Sequence, residues 1–227
     1  MQISCNIMAF DESEIIGFTI KHYQKFCQQI TVWDNYSEDN TREIAESMGC
    51  EVKLFGKKGQ LHDGEYTTLK NHCWKGQRAD LIIMCDADEI LIAPPIEIGN
   101  FTIWPMEGYN MFSETMPKDN WEEINMGIVD NNYAKHIVFS PRIKDINFRP
   151  GAHQADPRFP VWGKERLTVC HFKHACGVQR VLDRNHIFEK RKSKYNYDHK
   201  FGIQYGFPDK QVIEYFNSSL QNSKRLW

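Results

Sequence analysis

Four apolar runs in the first ninety residues constrain the fold more than any other feature. They are "ISCNIMAF" (3–10), "ITVWDN" (30–35), "CEVKLF" (50–55) and "LIIMCD" (81–86). Each has strand length and little polar alternation, the pattern of a strand buried on both faces. The intervals between them carry helical signals. Ile16, Ile20, Tyr23 and Cys27 recur at helical spacing, with Asp11 or Ser13 as cap. In residues 36–49, Asn40 is the expected N-cap, Glu43 its capping-box partner and Gly49 the stop. The third interval reads as a polar loop, residues 56–68, and then a helical stretch, residues 69–78. Strand and helix thus alternate, which predicts an α/β fold: a mostly parallel sheet with helices on both faces.

The second half is less regular. Residues 101–112, 136–141 and 167–174 ("LTVCHFKH") read as strands. Residues 149–160 ("RPGAHQADPRFP") read as a loop punctuated by Pro and Gly. Residues 177–193 and 208–227 read as helices, and the basic run at 190–194 as a solvated helix end. At 227 residues, with 41% hydrophobic and 26% charged residues, one globular domain spanning 1–227 is expected. A net charge of −2 gives no bulk attraction to nucleic acid. No run has the ~20 apolar residues a membrane span needs, and the N-terminus lacks a secretory pattern. The seven cysteines form no CxxC pair, which favours a reducing, cytoplasmic setting.

Carboxylates collect where the expected strands end. Asp11 and Glu12 follow the first, Asp34 to Asp39 the second, and Asp86, Asp88 and Glu89 the fourth. In open α/β sheets this edge is where ligands bind. Several carboxylates close together are costly unless cations or protons neutralise them. Asp-x-Asp beyond a strand suits a hard divalent cation, Mg²⁺ or Mn²⁺, which keeps open positions for waters and substrate phosphates. Taken alone, the triplet is equally compatible with helix capping.

Taken together, "FDESEIIGFTIKHYQKF", "ITVWDNYSEDNT" and "CDADEIL" resemble the GT-A-fold glycosyltransferases, in particular those related to glycosyltransferase family 2. The resemblance is good over residues 3 to 92 and thinner through "LKNHCWK", "RPGAH" and "CHFKH". It implies a nucleotide-binding half, 1–92, and an acceptor-side half, 93–227. Asp86 and Asp88 would form the DXD motif and hold Mn²⁺ or Mg²⁺ on the diphosphate of a UDP-, GDP- or dTDP-sugar. Glu89 would lie behind the metal or cap the next turn. Asp34 and Glu12 would contact the nucleotide, with Asn35 standing where relatives often have a second Asp. Lys70 would reach a phosphate.

From the late strand, the resemblance implies a third metal ligand, His171 in preference to His174, with Lys173 on the diphosphate. An inverting transfer needs a general base. Asp156 is the first choice, with His153 as helper and Glu107 or Glu114 as alternatives. Trp104, Tyr109, Phe112 and Trp121 serve either as a sugar platform or as ordinary core. The acceptor would be a hydroxyl on a glycan, lipid-linked or protein-linked molecule, and peripheral membrane contact is compatible with the chain. A metal-dependent phosphohydrolase and a non-catalytic sugar- or nucleotide-binding module are the competing readings.

Overall fold

A computed structural model of the chain describes residues 1–130, 132 and 134–227. The alternating half forms as expected: β1 (Ile3–Ala9), α1 (Ile16–Tyr23), β2 (Gln29–Asp34), α2 (Thr41–Ser47), β3 (Glu51–Leu54), α3 (Asp63–His72) and β4 (Leu81–Asp86). These strands pair in parallel in the order β3-β2-β1-β4. The short β8 (Val138–Phe139) adds an antiparallel edge beside β4.

β4 shows why the runs are continuously apolar. Leu81, Ile83 and Cys85 pack into a core with Ile16, Ile20 and Tyr23 of α1 and Ala45 of α2. Ile82 and Met84 face the other way, against Trp74 and Phe139, with Leu69 of α3 packed alongside. Alternate residues of one strand thus bury on opposite faces, so helices cover both sides of the sheet.

The second half builds a sheet of its own. It comprises β5 (Glu89–Leu91), β6 (Met106–Phe112), β7 (Met126–Val129), β9 (Leu167–His174) and β10 (Lys224–Arg225), ordered β10-β7-β6-β9-β5. The β6–β9 pair is parallel and the other pairs are antiparallel. α4 (Val178–Arg191), α5 (Lys194–Asp198) and α6 (Asp209–Asn222) complete the chain. The result is a mixed α/β fold with two five-stranded sheets and six α-helices among the described residues. β5 starts three residues after β4 ends, so the carboxylate-rich turn 86–89 sits at the junction of the sheets.

Local details differ from expectation. α3 begins at Asp63, inside the stretch read as loop, because the ring of His62 accepts from Glu65 N–H at 3.3 Å and caps it. Neither Asp11 nor Ser13 caps α1, whose N-cap Ile15 offers no side chain. Asn40 makes no capping bond either. Asp39 does that work, accepting from Thr41 N–H at 2.9 Å. No helix among the described residues is long and apolar enough to cross a membrane.

Candidate active site

The turn after β4 is held from every side. Ala87 N–H donates to Met8 O at 3.0 Å, and Phe172 N–H to Asp88 O at 2.7 Å. From α1, Thr19 Oγ1 donates to Ala87 O at 2.5 Å and Tyr23 OH to Glu89 O at 2.9 Å. Trp121 Nε1 in turn donates to Thr19 Oγ1 at 3.1 Å, locking the hydroxyl in place. Glu89 closes the turn on itself, its Oε2 accepting from Asp86 N–H at 3.0 Å. It is 1% exposed, so its role is to shape the turn from behind.

Protein cations answer the carboxylates. Lys70 Nζ lies 2.6 Å from Asp86 Oδ1, and Lys135 Nζ lies 3.4 Å from Asp86 Oδ2 and bonds Glu89 Oε1. Burial pushes the Asp86 carboxyl up, but Lys70 and then Lys135 outweigh it and leave it below its ordinary range. Burial likewise opposes the charge on Lys135, and Glu89 and Asp86 reverse that, raising it above the ordinary lysine range. Arg184 of α4 bonds Glu12 and reaches Asp88 Oδ2 at 3.8 Å. Arg180, one turn earlier, holds Glu12 at 3.3 Å and Glu14 at 3.2 Å. Glu12 therefore anchors α4 over the end of β1.

The late strand completes the site. β9 pairs His171 with Glu89, which brings its ring beside the turn. His171 Nε2 lies 3.6 Å from Asp88 Oδ2. Its Nδ1 faces Asn110 Oδ1 at 3.2 Å, and Asn110 Nδ2 donates to Asp130 Oδ2 at 2.8 Å. An amide oxygen only accepts, so Nδ1 carries a proton, and Nε2 is the nitrogen turned toward Asp88. This is how metal-ligating histidines are usually oriented. Burial raises the Asp88 carboxyl, yet His171, ahead of Arg184 and Lys135, holds it well below the ordinary range.

The donor set fits a divalent cation in part. Asp88 Oδ2 and His171 Nε2 converge, and such ions take substrate phosphates and waters in their remaining positions. Both oxygens of Asp86 face ammonium groups, those of Lys70 and Lys135. Among the described residues no group of three or more His, Cys, Asp or Glu converges for metal binding.

A cavity of about 170 Å³ opens at this point. Four carboxylates line it (Glu12, Asp63, Asp86, Asp88), opposite four cations (Lys70, Lys135, Lys173, Arg184). Their charges balance, so a divalent cation and a diphosphate entering together keep the site close to neutral. Burial lowers Lys173 to about 8. Its ammonium lies 5.1 Å from the centre of the Tyr205 ring, which also lines the cavity. His153 stands at the mouth, its Nδ1 facing Asn132 O at 2.8 Å.

Other expected site residues lie elsewhere. Asp34 is fully buried, and its carboxylate accepts from Ser37 N–H at 2.9 Å and from the Ser37 hydroxyl. It holds the turn after β2 and does not line the cavity. Asn35 is likewise engaged, with Phe55 O at 3.0 Å and Arg191 at 2.6 Å. Asp156 points into solvent, 65% exposed, and pairs with Arg149 at 2.6 Å. The tight bends around 147–152, where Asn147, Gly151 and Ala152 have positive φ, turn His153 rather than Asp156 to the cavity. Glu107 binds Tyr109 OH at 2.9 Å, and neither it nor Glu114 lines the cavity. Trp104, Phe112 and Trp121 are core, at most 1% exposed, and the cavity aromatics are Phe10, Tyr66, Phe188 and Tyr205. Asp156→Ala should therefore change stability by less than ~0.5 kcal/mol and leave turnover intact. A tenfold loss of turnover would return Asp156 to the reaction.

His174, on the opposite side of β9 from Lys173, stacks on Phe112 at 5.3 Å between ring centres. Burial drives it down to about 3. A histidine held neutral in the fold but protonated when unfolded stabilises fully above the unfolded value of ~6.5. That stability falls as pH drops from there toward 3, by up to ~1.4 kcal/mol per pH unit. Urea unfolding at pH 7 and 5 should show His174→Phe losing less stability than the wild type. An equal loss would contradict a buried neutral ring.

No family model matches the chain, and no curated protein matches it. Among solved structures, several align with it in part. Staphylococcus aureus TarS aligns at 11% identity over 96% of this chain and 43% of its own, with a TM-score of 0.49. Glucosyl-3-phosphoglycerate synthase from Mycobacterium tuberculosis, in complex with Mn²⁺, UDP and glucosyl-3-phosphoglycerate, aligns at 16% identity over 47% of this chain and 44% of its own, with a TM-score of 0.36. A mycobacterial protein aligns at 18% identity over 48% and 41%, also with a TM-score of 0.36. The chain spans less than half the length of each.

Proposed function

We propose that this chain transfers a sugar from a nucleoside-diphosphate sugar to a hydroxyl acceptor, with a divalent cation held by Asp88 and His171. The observation that carries the reading is the pairing of these two side chains at 3.6 Å, with the His171 ring oriented by Asn110. The cation would serve as a Lewis acid toward the departing diphosphate. Lys70 and Lys135 hold Asp86 charged, and Lys173 stands ready for phosphate oxygens. The cavity at the turn is of a size to take a diphosphate, while pockets for whole small-molecule ligands run to ~300–1,000 Å³.

His153 is the acceptor-side base in this reading, replacing Asp156. With the carbonyl of Asn132 accepting from Nδ1–H, the basic nitrogen is Nε2. His153→Gln should slow turnover by ~10²–10⁴-fold and leave donor binding unchanged. Wild-type turnover in that variant would remove His153 as base.

A thermal-shift panel of UDP, GDP and dTDP, each with and without Mn²⁺, tests the class of activity. A shift that needs both nucleotide and metal supports the transferase. Release of phosphate from simple esters, without any nucleotide effect, would favour a hydrolase.

A further inference from the structure

Two neighbouring loops hold a cluster of exposed apolar side chains that the catalytic reading does not use. Ile96 is 94% exposed and Phe159 74%, and Ile92, Val161 and Trp162 are each at least 40% exposed. The loops are tied together: Thr102 N–H donates to Val161 O at 2.8 Å, and Ile96 N–H to Glu165 Oε1 at 3.0 Å. Phe159 also adopts φ 55°, a left-handed conformation rare for so bulky a residue. The fold thus keeps an aromatic ring turned outward at a cost of ~1–3 kcal/mol.

We propose that this patch docks the protein on an anionic lipid bilayer. The charge around it favours that occupant. In "RFPVWGK" (158–164), Arg158 and Lys164 flank the apolar residues, and Lys144 is exposed on the preceding segment. Residues 142–166 hold six basic and three acidic side chains; Arg149 and Asp156 pair with each other, and Asp145 is occupied by Lys75 from outside the segment, so basic side chains remain in excess. Exposed Trp and Phe beside Arg and Lys suit the headgroup boundary, where rings enter the interface and cations meet lipid phosphates.

The patch also adjoins the cavity. Trp162 packs edge-on against His136 at 5.3 Å, and His136 follows Lys135 of the cavity wall. Docking would bring the cavity mouth and His153 toward the headgroups. The surface itself stands independently of the proposed transfer reaction.

Co-sedimentation with phosphatidylcholine vesicles, with and without 30% phosphatidylglycerol, tests the proposal directly. The full chain should pellet with the anionic vesicles and be released by raised salt. The double variant Phe159→Ser, Trp162→Ser should partition about tenfold less, with circular dichroism and thermal midpoint unchanged. Lys144→Glu with Lys164→Glu should weaken anionic binding selectively. Leu54→Ser, at the far edge of the first sheet, serves as the control. Equal pelleting of the patch variants and wild type would overturn the proposal. So would a wild-type protein that ignores both vesicle types, or one that forms a dimer dissolved by the same substitutions.

Discussion

Lys135→Met should lower the thermal midpoint by roughly 6–20 °C, the largest effect expected of any single cavity residue. The ammonium is buried between Asp86 and Glu89, and Glu89 is 1% exposed. Removing one partner of a buried ion pair costs about 3–5 kcal/mol, because the remaining charge stays desolvated. In a chain of this length each kcal/mol moves the midpoint by ~2–4 °C. Glu89→Gln placed on top of Lys135→Met should recover part of the loss, since the double change removes both the cation and one stranded carboxylate. Calorimetry of the two variants gives the answer. A drop of less than 1 °C for the single variant would contradict the buried pair.

Asp88→Asn should instead leave the fold close to wild type and reduce Mn²⁺-dependent nucleotide binding by at least ~100-fold. The amide keeps the size of the carboxylate but loses the charge that pairs with a cation. It also leaves Arg184, held by Glu12, in place. His171→Ala should behave likewise. Asn110→Leu should produce a smaller loss, ~10–100-fold, because it frees the ring without removing the ligand. That gradation separates a metal pair from a plain Asp–His ion pair. In an ion pair the substitutions would change stability and leave nucleotide binding insensitive to metal. Titration calorimetry of UDP with and without Mn²⁺ on each variant distinguishes the two.

Much of this arrangement was legible in the sequence, for reasons that particular residues make plain. β1 and β4 could be read because they are buried on both faces, as Leu81 to Cys85 are between α1 and α3, whereas β3 is an exposed edge strand, legible only from its place in the alternation. Asp86 and Asp88 could be placed because they end or follow an apolar strand, and strand ends gather at one edge; His171 lies inside β9 rather than at its end, and reaches the turn through its pairing with Glu89. Asp34 also ends a strand, but periodicity does not say whether a carboxylate turns outward or back into its own turn. Here it turns back to Ser37. Asp156 lies away from the cavity for the related reason that loop direction depends on the bends at 147–152.

The missed cations carry weaker signals. Arg180 and Arg184 lie four apart on α4, beside the buried Val181 and Leu182. Two arginines bordering an apolar helix stripe are a readable hint of buried partners. Lys135 precedes a two-residue strand in an irregular stretch, and nothing in its neighbourhood distinguishes it from a surface lysine.

The central claim is that Asp88 and His171 hold a divalent cation that joins a nucleoside diphosphate to the chain. Equilibrium dialysis of labelled UDP at fixed Mn²⁺ tests it most directly. Retention by the wild type that disappears with EDTA, and equally in Asp88→Asn, is the predicted result. Retention that is unaffected by EDTA and persists in the variant would contradict it.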